Sequence, residues 1–133
     1  LNEVRTNDSS NQLLEAYGYD AFGNRRSKTI AGQTTAYVFD SAHQLLEARQ
    51  NSTSGTLLAG AVYDANGNLS DYCEGTAVSR SANSCSGSAV TTMQYDAQDR
   101  LTQVQKTGLA TERYRYDHAG IRLSKTVGTA TTQ

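Results

Sequence analysis

Apolar and polar positions alternate immediately before a recurring aspartate: Tyr17 and Tyr19, Tyr37 and Phe39, Ala61 and Tyr63, Met93 and Tyr95, Tyr114 and Tyr116. A period of two sets successive side chains on opposite sides of a strand and turns one side to packing. After each aspartate and its turn the apolar signal resumes at Leu45, Leu69, Leu101 or Leu123, in short runs with polar neighbours such as Thr102-Gln103-Val104-Gln105-Lys106. These read as strands with one wet face. Helix is disfavoured by the Thr, Tyr and Val content and by recurring Gly; one mildly helical window, Ala42 to Arg49, is short.

The strands and turns belong to a repeat. Five copies of aromatic-Asp-turn can be read directly, as Tyr19-Asp20 with Gly23, Phe39-Asp40 with His43, Tyr63-Asp64 with Gly67, Tyr95-Asp96 with Asp99 and Leu101, and Tyr116-Asp117 with Gly120. Their starts at 19, 39, 63, 95 and 116 lie 20, 24, 32 and 21 residues apart, so the unit is about 20 or 21 residues with inserts in two copies. Arg25-Arg26-Ser27-Lys28-Thr29 also aligns with Arg122-Leu123-Ser124-Lys125-Thr126. The Gly or its substitute supplies the positive φ of a tight hairpin, and the Asp can accept backbone N–H groups as the chain reverses. Second turns at Gly32-Gln33, Ser54-Gly55 and Thr107-Gly108 give two strands and two turns per unit. A lone hairpin is marginal in water, so each unit must lie beside its neighbours. The expected fold is all-β: tandem antiparallel hairpins in a twisted, spiralling sheet, forming one array over residues 1–133 with an inserted loop at about 71–91.

Composition fits thin packing. The hydrophobic fraction is 37%, below the roughly 45–50% usual for globular domains, and Tyr appears eight times against two Phe and no Trp. Tyr buries a large ring while its hydroxyl still needs a partner. Pro is absent. Twelve basic and thirteen acidic residues are mixed along the chain, which gives no support to nucleic acid as a partner. No apolar run is long enough to span a membrane as a helix. The chain starts at Leu1 without Met or a basic-then-apolar leader, and is expected to be a segment of something longer.

Cys73 and Cys85 share a Ser/Gly/Ala-rich stretch. A local disulfide there would contribute about 3 kcal/mol in an oxidising compartment, with two free thiols as the alternative. Zinc is disfavoured, because no CxxC exists and His43 and His118 lie in distant turns.

The aromatic-Asp-x-x-Gly-Asn/Arg-Leu/Arg pattern resembles the YD repeats of the RHS family, found in bacterial polymorphic toxins, Tc toxin shell components and teneurins. The resemblance runs from Tyr17 to Val127 apart from the insert. It implies an open segment of a β-shell that encloses a toxin domain or is displayed outside the cell. Without Pro, the chain lacks the proline-containing segment that closes such cores, and no self-cleavage site or toxin domain is expected within it.

Sharper chemistry finds little purchase. One carboxylate per turn spreads Asp20, Asp40, Asp64, Asp96 and Asp117 along the array, where paired-carboxylate catalysis needs two acids at one place. Asp64-Ala65-Asn66-Gly67-Asn68 departs from a calcium loop, with Gly fourth instead of sixth and Gly75 in place of the twelfth-position Glu. No GxSxG, GxGxxG or P-loop occurs, and His43 and His118 read as surface turn residues. Sequons stand at Asn7, Asn51 and Asn68. The expectation is a noncatalytic scaffold of a secreted or cell-surface protein, without cofactor or metal. Its expected partners are neighbouring repeats of the same or an identical chain and an enclosed toxin domain. Two alternatives stand beside it: the tyrosine stripe as a surface for glycans, and self-assembly into an extracellular filament through open hairpin edges.

Overall fold

A computed structural model describes residues 2–6 and 10–133. Two compact units divide the chain, Leu1–Ala59 and Gly60–Gln133. The first holds β1 (Asn2–Arg5), β2 (Leu13–Tyr19), β3 (Arg25–Ile30), β4 (Gln33–Phe39), β5 (Leu45–Gln50) and the start of β6 (Leu57–Tyr63). The second holds the rest of β6, β7 (Leu69–Glu74), β8 (Ser79–Arg80), β9 (Cys85–Ser86), β10 (Ala89–Tyr95), β11 (Leu101–Lys106), β12 (Glu112–Tyr116), β13 (Arg122–Val127) and β14 (Ala130–Thr132). Strand order follows chain order through a twelve-stranded antiparallel sheet, and β8 and β9 alone leave it to pair with each other. No helix occurs among the described residues.

The register explains the recurring motif. Pairing shifts by one residue just before the aromatic, at Gly18/Tyr19, Val38/Phe39, Gln94/Tyr95 and Arg115/Tyr116. The residue skipped at each shift, Arg26, Leu46, Thr102 or Leu123, lies three after the left-handed turn position, so a strand bulge follows the turn. The turn is itself type I closed by a G1 bulge, with Gly23 N–H donating to the Asp20 carbonyl and Asp20 N–H to that of Asn24. Gly23, Gly67 and Gly120 take φ of 86°, 86° and 83° there, and His43 and Asp99 adopt 63° and 58° at the same place.

The window Ala42 to Arg49 forms no helix, in line with the sequence reading, since Leu45–Gln50 pairs with β4 and skips Leu46 at the register shift. One feature departs from that reading. The insert is shorter than 71–91: Asp71 to Glu74 complete β7 and Ala89 onward is β10, paired as Glu74↔Ala89 and Cys73↔Val90, so the excursion spans residues 75–88. Tyr72, Val90 and Thr91 favour strand, and ladder pairing draws Asp71, Glu74 and Ala89 in with them, while the Ser and Gly residues stay in the excursion.

Burial is sparse. Among the described residues only Ala16, Ala36, Gly60, Ala61, Val62 and Cys73 are buried. Stability must then come from ladders, turns and half-buried side chains more than from an apolar interior.

Candidate functional site

Every repeated aspartate sits at the start of its turn and is consumed by it. Asp20 Oδ1 accepts the N–H of Phe22 and of Asn24, both at 2.9 Å. The pattern recurs at Asp40 (Ala42, Gln44), Asp64 (Asn66, Asn68), Asp96 (Gln98, Arg100) and Asp117 (Ala119, Ile121), all between 2.8 and 3.0 Å. The backbone closes the same loop five times, with each Asp N–H donating to the carbonyl four residues on. Asn24, Asn68 and Arg100 add a side-chain donor to the second carboxylate oxygen. These donors hold the carboxyls below their ordinary 3.8. For Asp20 the Asn24 amide is the largest influence and for Asp64 the Asn68 N–H is. At Asp96 desolvation pulls upward and is outweighed by the N–H and side chain of Arg100.

The two turns that lack glycine use the substituted side chain to reach the turn before. Asn24 Nδ2 donates to His43 Nδ1 at 2.8 Å, which places the ring proton on Nε2, and Phe22 packs on the imidazole with centroids 5.0 Å apart. Asp99 Oδ1 accepts from Asn66 Nδ2 and Asn68 Nδ2, both at 2.8 Å. Arg100 Nη1 reaches the Asp117 carbonyl at 2.9 Å. A non-glycine residue with positive φ is strained, and here each such side chain gains a cross-turn hydrogen bond. Sequence reasoning placed His43 and Asp99 at the turn and missed what they hold. The signal lay in the Asn at Asn24, Asn66 and Asn68 of the preceding turns.

The aromatics bind repeat to repeat. Tyr95 OH donates to the Leu69 carbonyl at 3.0 Å and Tyr116 OH to that of Leu101 at 2.9 Å, each reaching the first strand residue after the previous turn. Tyr17 and Tyr114 donate instead to Glu15 and Glu112 on their own strands. Lys125 Nζ also meets Glu112 at 2.9 Å, and these two donors hold the Glu112 carboxyl below its ordinary value, while the bond to Glu112 raises both Tyr114 and Lys125. Cations cover the rings: the Arg25 guanidinium lies 4.9 Å from the Tyr37 centroid and that of Arg100 lies 5.1 Å from Tyr116. Tyr63 and Phe39 end β6 and β4 half-buried, and Tyr19 is 49% exposed at the end of β2.

Cys73 and Cys85 are disulfide-bonded, with Cα atoms 5.7 Å apart. The bridge ties β9 to β7 above Gly60 of β6. No cluster of three or more His, Cys, Asp or Glu suited to a metal exists among the described residues. The Asn68 amide of the third sequon is held by Asp64 and Asp99, Asn51 is exposed, and Asn7 lies outside the described residues. No described helix is long and apolar enough to cross a membrane.

No family model matches the chain. Two curated relatives, tRNA nuclease WapA of Bacillus subtilis (strain 168) and tRNA3(Ser)-specific nuclease WapA of Bacillus spizizenii, are each 30% identical to it over 135 residues. The match takes in 96% of this chain and 5% of each relative. Among solved structures, TcdB2-TccC3-TEV superposes with a TM-score of 0.63 at 21% identity, over 93% of this chain and 6% of that one. A Photorhabdus luminescens Tc holotoxin pore gives 0.63 at 21% identity, over 96% and 6%. The chain resembles YD (RHS) repeat segments in its sequence pattern and shares the fold of these structures. In this segment the signature tyrosine and aspartate have separate tasks. Aspartate closes its own turn, the signature Tyr95 and Tyr116 join hairpins, and Tyr17 and Tyr114, two residues ahead of the signature position, brace their own strands.

Proposed function

We propose that this segment is a noncatalytic scaffold, a stretch of wall in a toxin-associated RHS shell of a secreted or cell-surface protein. The observation that carries this reading is the fate of the aspartates, since one oxygen of each of the five carboxylates accepts two N–H groups of its own turn. An acid so committed is a turn cap and a poor general base. The fold shared with Tc toxin assemblies supports a shell, and an enclosed toxin component is the partner such a wall fits. The tyrosine hydroxyls engaged by Leu69, Leu101, Glu15 and Glu112 favour packing over contact with glycans.

Because the curated relatives are nucleases over chains of which this segment spans 5%, tRNA cleavage is the activity to test. The 133-residue chain incubated with total tRNA is expected to leave it intact, and Asp96→Ala is expected to lower the melting temperature. Cleavage that Asp96→Ala abolishes without moving the melting temperature would overturn the scaffold reading.

A further inference from the structure

Residues 75–88 leave the sheet between β7 and β10, and their own ladder is the pairs Ser79↔Ser86 and Arg80↔Cys85. A two-stranded ribbon of that size does not hold itself in water. Three attachments hold it. Cys85 is bonded to Cys73, which is 0% exposed on β7. Arg80 Nε donates to the Ala61 carbonyl of β6 at 2.6 Å. At the neck, Ser88 N–H reaches the Thr76 carbonyl at 3.1 Å and Thr76 N–H reaches Ser88 Oγ at 3.0 Å.

The sheet is cut to receive this flap. A Cβ on Gly60 would stand 3.0 Å from Cys85 Sγ and 3.2 Å from both Cys73 Sγ and Arg80 Cβ. The same position, three residues before the aromatic, carries Ala16, Ala36, Thr92 and Arg113 in the other repeats. Glycine in a strand interior weakens it, so the seat has a reason in the bridge above it. The β7–β10 ladder from Glu74↔Ala89 to Asp71↔Thr92 runs beneath without using any flap residue.

We propose that Cys73–Cys85 is a reducible latch, attacked by a dithiol reductant at Cys85, whose opening frees residues 75–88 from Gly60 and Ala61 while the sheet stays paired. This goes beyond the scaffold reading and does not depend on it. Access dictates the direction of attack, because Cys73 is wholly buried and Cys85 is partly exposed. The reductant's thiolate forms a bond to Cys85 Sγ, the Sγ–Sγ bond breaks, and Cys73 leaves as a thiolate that takes a proton from water. The reductant's second thiol then displaces Cys85, so the reductant ends as a disulfide and the chain as two thiols.

The test uses the oxidised 133-residue chain. Brief exposure to glutathione, acid quenching and peptide mass mapping should find the mixed disulfide on Cys85. Under dithiothreitol, hydrogen exchange at Ser81 and Ser88 should accelerate about a hundredfold, the factor that loop closure of this length implies. Exchange in β10 and β11 should hold, and Cys85→Ser should reproduce the open flap without reductant. An adduct mainly on Cys73, a flap equally protected after reduction, or loss of β10 and β11 protection together with the flap would each overturn the latch.

Discussion

At Asp96 one carboxylate oxygen accepts the N–H of Gln98 and of Arg100, and the other meets the Arg100 guanidinium at 2.7 Å. All of these donors need the ionised form. Asp20, Asp64 and Asp96 accordingly have carboxyls held below 3.8, so the folded state binds fewer protons than the unfolded chain in that range. Their stabilisation is fully present above pH about 4 and is lost as pH falls through the depressed folded values. Thermal melts from pH 6 to pH 2 should show a flat region and then a decline beginning near the ordinary carboxyl range. Asp64→Asn should melt lower at pH 6 and show a shallower decline, because one of the groups that loses its ionised form is gone. An Asp64→Asn curve parallel to that of the parent chain would contradict the linkage. At this scale the sequence was easy to read where a residue acts on its own turn, as Asp20 or Gly23 does. It was hard to read where the partner is distant, since nothing local to Asp99 announces Asn66 and Asn68.

Between hairpins the bonding partner is the strand beginning one repeat earlier. Tyr95 serves Leu69 and Tyr116 serves Leu101 in the same way, so Tyr95→Phe should cost about 0.5–1.5 kcal/mol, the usual net worth of such a hydrogen bond. The second repeat runs this experiment in reverse. Phe39 occupies the tyrosine position, and the position matching Leu69 and Leu101 in the repeat before it is Arg25. Phe39→Tyr is therefore expected to add a bond to the Arg25 carbonyl and to stabilise the chain by about 1 kcal/mol in urea melts. No gain would show that the two repeats differ in register at that edge. Strand periodicity and turn chemistry made these hairpins visible in the sequence, but the excursion was drawn too wide. Asp71-Tyr72-Cys73 and Val90-Thr91 sit in a Ser/Gly/Ala-rich setting, and pairing with each other and with the strands on either side makes them strands. Gly60 was equally silent, because its meaning is the space it leaves for Cys85, a residue 25 positions away.

At the scale of the molecule, a repeat array stabilised by nearest neighbours should tolerate removal of a whole unit and resist removal of half a unit. Tyr95 and Tyr116 stand 21 residues apart at equivalent points, so deleting residues 96–116 rejoins Tyr95 to Asp117 and restores the aromatic-Asp turn. β10 would then meet β13, which now pairs with β12 in the register that β11 keeps with β10. The shortened chain should fold, with a urea m-value lower by about one-sixth in keeping with the surface removed. Deleting residues 96–105 instead joins β10 to β12, two strands that run in the same direction, through the short turn around Gly108. A link that short can join only antiparallel strands, so one of the two must reverse and lose its neighbours. Circular dichroism and size exclusion should find that second chain unfolded or aggregated. If both deletions fold equally well, the sheet does not derive its order from repeat-to-repeat pairing. If neither folds, the array is one cooperative body and not a sum of hairpins, and a wall built from it could not grow or shrink by whole repeats.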